Sequence, residues 1–130
     1  MTTKPTVIQL IALICLTLSA CVNYRFDHIR ESEANNNDDF IIEALNKSED
    51  PYIRAQAAQS LGRMKSKKAI PSLIKALKDD TWSVRLYVAQ ALGEIGATKA
   101  IRPLKDQLKA ENEEHVIKAI KAAIKKIRMS

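Results

Sequence analysis

The two thiols of this chain, Cys15 and Cys21, both stand near its start, ahead of Val22. Beyond them nothing remains to form a disulfide, ligate a metal through sulfur or act as a thiolate nucleophile. The two histidines, His28 and His115, lie far apart and belong to no H-E-x-x-H pair, and there is no G-x-S-x-G, P-loop or C-x-x-C motif. Asp79 and Asp80 are adjacent, which suits a helix end and a cap better than an acid and a base held across a scissile bond. These residues argue against catalysis and against a metal or other cofactor. What the sequence does offer is cationic. Lys68 and Lys99, and likewise Lys78 and Lys109, recur at one constant offset (99 − 68 = 109 − 78 = 31), with Lys75 and Arg102 between them. A row of this kind suits a protein partner, although Lys78 and Lys109 also fall where a cation stabilises a helix C-terminus. Lys118, Lys121, Lys125 and Arg128 are spaced 3, 4 and 3, one face of a helix. That stripe suits an anionic polymer or lipid, or is simply the soluble outer face of a terminal helix. Trp82, the single tryptophan, is either an exposed contact residue or packed on the loop before it.

The elements that position these residues are written as a repeat. Sliding the chain on itself by that same offset pairs 53–78 with 84–109, and 11 of 26 positions are identical, among them Arg54/Arg85, Gln59/Gln90, Leu61/Leu92, Gly62/Gly93 and Leu73/Leu104. Val116, Ile120, Ala123, Ile124 and Ile127 begin a degenerate third unit. Ile41, Ile42, Ala44 and Leu45 supply a half unit in front. Within a unit the apolar residues recur at helical spacing, first Ile53, Ala57, Leu61 and Met64, then Ile70, Leu73, Ile74 and Leu77. Each unit is therefore a helix pair. The spacing predicts six helices, at about 39–47, 51–65, 68–79, 81–95, 99–110 and 112–128. Asp50 caps the second of them with Pro51 in its first turn, Thr81 takes the Asp50 place in the next unit, and Gly96 ends that helix. Stacked pairs leave a concave surface, expected to be lined by the second helix of each pair and so by Lys68, Lys75, Lys78, Lys99, Arg102 and Lys109. Leu73, Leu77, Leu104 and Leu108 are expected to face inward.

Ahead of the repeat, residues 1–20 read as an export signal. Lys4 gives a short positive start, 7–18 is apolar apart from Gln9 and Thr17, and Ser19-Ala20 are small. The apolar run is short for a membrane span, which takes about 20 residues. Without Lys4 the charge is 20 − 15 = +5, against +6 for the whole chain, a mild bias toward anionic partners. Residues 21–38 show no helical or strand period, and E-S-E-A-N-N-N-D-D at 31–39 reads as a flexible tether. Tyr24 and Phe26 stand there either as plain linker residues or as aromatic anchors in the lipid interface.

Two resemblances follow from these residues. Leu18-Ser19-Ala20-Cys21 resembles a lipobox, which implies cleavage before Cys21 and acylation of that cysteine, as in bacterial lipoproteins. Two or three acyl chains anchor stably where one does not. Val22 after the cysteine, in place of Asp, implies the periplasmic face of the outer membrane over the inner membrane. The pattern V-R-x-x-V-A-x-A-L-G-x-I-G at 84–96, echoed by I-R-A-Q-A-A-Q-S-L-G-R-M at 53–64, resembles the short HEAT-like repeats associated with phycobilin lyases. The fold this implies is all-α, a short α-solenoid over 39–130. In that family Arg54 and Arg85 would pair with loop acids such as Asp50, Asp79 and Asp80. The expected role is a non-enzymatic adaptor in the cell envelope, membrane-bound through Cys21, with another envelope protein as partner. The alternative is a binder of anionic polymer or lipid. Export argues against nucleic acid.

Overall fold

The structure, a computed structural model, describes residues 4, 6–11 and 25–130. The lipobox tetrad with Cys21, and Cys15 and Tyr24, lie outside the described residues. Residues 7–11 are helical. From Arg25 onward the chain forms seven α-helices: α1 (Phe26–Ala34), α2 (Asp38–Lys47), α3 (Pro51–Arg63), α4 (Ile70–Ala76), α5 (Trp82–Ile95), α6 (Ile101–Ala110) and α7 (Glu114–Met129). Among the described residues no helix is long and apolar enough to cross a membrane.

Local chemistry sets the boundaries. The Asp50 carboxylate accepts the Tyr52 N–H at 2.8 Å, and Pro51 occupies the first turn of α3, where its missing N–H leaves nothing unpaired. Thr81 does not repeat this device. Its side chain caps nothing, and the Asp79 carboxylate instead accepts the Thr81 N–H at 2.9 Å. Gly96 ends α5 in the left-handed region at φ 71°, which lets the Ala97 N–H reach back to the Leu92 carbonyl at 3.1 Å. One repeat earlier Lys65 makes the same turn at φ 51°, with Ser66 donating to Leu61, although a side chain there carries a strain of about 1 kcal/mol. Short 3₁₀ turns, Lys67–Ala69 and Thr98–Ala100, lead into α4 and α6. Pro71 and Pro103 fall within the first three residues of those helices, where proline is tolerated.

The helices stack in two layers. One row runs α1, α3, α5, α7; the other runs α2, α4, α6 and packs across the backs of the first. Ile41, Leu45, Leu61, Leu73, Leu77, Val84, Val88, Leu92, Leu104, Val116 and Ile120 fill the seam between them, while Leu108 is only half-buried. Contact is closest along the first row. A Cβ on Gly62 would lie 2.8 Å from the Ala91 Cα, and one on Gly93 would lie 3.0 Å from the Ala123 Cα. By contrast α4 and α6 scarcely touch. A stack curves toward the layer whose helices are closest, so the concave side belongs to α3, α5 and α7. This reverses the expectation for the second helices, because the glycines that permit close approach sit in the first helix of each pair.

A second correction concerns the tether. Residues 26–34, expected to be flexible, form α1, which packs on α2 and α3. Ile29 is 1% exposed, and Glu33 is bound by Arg63 (Nε–Oε1 and Nη2–Oε2 both 2.8 Å) and by the Ser60 hydroxyl at 3.0 Å. α1 thus completes the half unit at α2 into a full helix pair.

Candidate partner-binding surface

One arginine in each repeat fastens it to the next unit. Arg54 donates to both Asp79 carboxylate oxygens, at 2.8 and 3.0 Å, and to the carbonyls of Ser48 and Glu49. Arg85 does the same to Glu111, at 2.8 and 2.9 Å, and to the carbonyls of Asp79 and Asp80. The resemblance foresaw Asp79. It missed Glu111, which takes the Asp79 place in the next loop between repeats and has a side chain 2% exposed. The Glu111 carboxylate also accepts from Gln107 and from the N–H groups of Asn112 and Glu113. The Arg85 hydrogen bonds, foremost, pull its pKa from 4.5 to about 2. These ion pairs are consumed by the scaffold.

The concave side offers groups that the scaffold does not consume. Shallow grooves run between α1 and α3, α3 and α5, and α5 and α7, and they join because Gln59 and Arg63 line the first two and Gln90 and Glu94 the last two. Gln56, Gln59, Tyr87, Gln90, Ala119 and Ala122 form the floor. Cross-row ion pairs close the helix C-terminal end: Arg63 with Glu33, and Lys126 with Glu94 at 3.4 Å. The Arg63 hydrogen bond holds Glu33 below the usual carboxylate range, and Glu33 raises Arg63 in turn. Three amides, one phenol and two methyls, with Phe26 and Arg30 at the α1 end and the two ion pairs beside them, make this a mixed surface for hydrogen bonding and packing. The sequence carried its signal, since Gln59 and Gln90 are identical one repeat apart without being core residues.

The expected lysine row lies on the opposite layer and does not come together. Lys68 and Lys99 stand in the turns leading into α4 and α6, while Lys78 and Lys109 stand at the far ends of those helices. Lys68 is ion-paired with Asp39, whose hydrogen bond raises its pKa, and Lys109 is 3.5 Å from Asp106. Lys75 and Lys78 line a cleft with Asn46, Ser48 and Asp80 between the ends of α2 and α4. Arg102 is exposed on α6. On α7, Lys118 pairs with Glu114 at 2.6 Å, while Lys121, Lys125 and Arg128 are exposed. Trp82 is 47% exposed, with its ring 6.2 Å from that of His115. Phe26 lies 6.2 Å from Tyr52. Among the described residues no group of His, Cys, Asp or Glu is placed to hold a metal ion.

Two layers of helix pairs, locked by one arginine per repeat, define an α-solenoid of tandem repeats. The chain belongs to the HEAT repeats, whose family matches residues 39–125. No curated protein matches it.

Proposed function

We propose that this chain is a lipid-anchored, non-enzymatic adaptor of the bacterial cell envelope that receives a protein partner on the concave face of α3, α5 and α7. The observation that carries the reading is the joined set of grooves floored by Gln56, Gln59 and Gln90, which stand outside the core, with Tyr87 packed partly against it. HEAT stacks commonly serve protein–protein interaction through such extended surfaces. Acylation of Cys21, read from the lipobox resemblance, would hold the module at the membrane. Val22 favours the outer membrane.

The test is a photo-crosslinking amino acid placed singly at Gln59, Gln90, Lys78 or Lys109 in whole cells. The first two positions should capture a discrete partner and the last two should not. Capture from Lys78 and Lys109 alone would move the working face to the second layer and restore the lysine row. Fatty-acid labelling of wild type and Cys21→Ser decides the anchor, since equal labelling refutes it. A second reading has its own observation. Lys121, Lys125 and Arg128 are exposed on α7 without an ion pair among the described residues. If only α7 captures a ligand, and binding falls steeply with salt, the protein binds an anionic polymer instead.

A further inference from the structure

Within 25–130 the large hydrophobic side chains that remain exposed are Phe26 (37%), Tyr52 (57%), Trp82 (47%) and Met129 (76%). The three aromatics share one edge of the stack. Phe26 is the first residue of α1, Tyr52 the second of α3 and Trp82 the first of α5. These helices run parallel, because Phe26 meets Tyr52 at their N-terminal ends while Glu33 meets Arg63 at their C-terminal ends. Trp82 against His115 extends the same edge to α7. Folding does not ask for aromatics in these first turns. The repeat places Ser83 where its previous copy has Tyr52, and the caps use Asp50 and Asp79.

The edge is also where the N-terminal segment enters the fold. Four residues separate Cys21 from Phe26, five steps along the chain and so a span of about 18 Å at most when fully extended. With α1 folded, an anchor at Cys21 leaves the start of α1 no room to leave the membrane surface. We infer that the aromatic edge of Phe26, Tyr52 and Trp82 seats in the lipid–water interface, so that the row helices stand on the membrane by their N-terminal ends. Tyrosine and tryptophan favour that boundary because their rings are apolar and their polar atoms reach water. The inference rests on Cys21 being the anchor.

The edge carries charges of both signs. Asp79 and Glu111 are neutralised by Arg54 and Arg85, Glu49, Asp50, Asp80 and Glu113 remain exposed, and so do Arg25 beside Phe26 and Lys78 and Lys109 at the ends of the helices that lead into this edge. A zwitterionic surface accepts such a mixed edge. In this orientation the turns holding Lys65, Lys67 and Lys99 point away from the bilayer, and the grooved concave face opens sideways to a partner.

The single tryptophan makes the test direct. The mature lipoprotein is reconstituted into phosphatidylcholine vesicles with ordinary or brominated acyl chains, and its mass is measured in parallel. Trp82 emission should shift to shorter wavelength in both and lose intensity in the brominated vesicles. Phe26→Ser with Tyr52→Ser should relieve that quenching while leaving helicity by circular dichroism unchanged. An acylated protein with equal emission in the two vesicles overturns the seated edge and leaves the anchor standing. A mass without acyl chains on Cys21 sinks the anchor and the orientation together. A double variant quenched as strongly as wild type overturns the role given to the aromatic edge.

Discussion

At the scale of the residue, the Arg85–Glu111 pair shows how a surface-type residue becomes structural. Glu111 is one of three acids at the start of α7, with Glu113 and Glu114, yet it turns inward to meet a guanidinium, an amide and two backbone N–H groups. Its folded pKa of about 2 lies below the ordinary 4.5. A group depressed in the folded state adds stability that is complete above the unfolded pKa and disappears as pH falls through the folded one. The gap between those two values corresponds to about 3 kcal/mol. Thermal melts should therefore lose stability between about pH 4.5 and 2, with Asp79 and Glu33, lowered likewise, adding to the trend. Glu111→Gln should melt well below wild type at pH 7 and have a flatter acid limb. A variant with the wild-type acid limb would show that Glu111 is not the titrating group.

At the scale of the element, α1 is the helix that the sequence concealed. It buries one large apolar side chain, Ile29, so no helical stripe of apolar residues marks it, and the Asn-rich segment after it reads as linker. A trace was present all the same: Ile29 precedes Leu61 by the same offset that separates Ile41 from Leu73. A terminal helix held by one buried aliphatic side chain, two ring contacts at its start and the hydrogen bonds of Glu33 to Arg63 and Ser60 is a local unit that can open by itself. Ile29→Ala removes most of its apolar contact, and truncating a buried isoleucine costs about 2 to 5 kcal/mol where the structure cannot relax. Amide exchange across Phe26–Ala34 should then speed up markedly while α5 keeps its protection. If both regions speed up alike, α1 is part of the global folding unit and not a separable cap.

For the whole molecule, two complete repeats flanked by a closing pair and a single capping helix are close to the smallest stack that buries a continuous core. Leu92 sits at its middle, fully buried on α5, the helix that contacts α3, α4 and α7. Leu92→Ala should cost about 2 to 5 kcal/mol, enough to unfold a domain of this size at physiological temperature. An unaltered melting temperature by circular dichroism would refute the central position given to that side chain.

The all-helical repeat, the helix boundaries from α2 onward apart from the end of α4, the left-handed stop at Gly96 and the Arg54–Asp79 lock were legible because they depend on spacing and local chemistry, whereas Glu111 as the partner of Arg85 was not. Apolar residues at helical intervals specify amphipathic helices, and identities shared by successive units say that neighbours pack alike. Which face of the stack is concave was not legible, since it depends on how closely two backbones approach. Gly62 against Ala91 and Gly93 against Ala123 decide it. The gathering of Phe26, Tyr52 and Trp82 on one edge was equally hidden. These residues are distant in sequence and out of register in the repeat, and only the parallel docking of α1, α3 and α5 brings their first turns together.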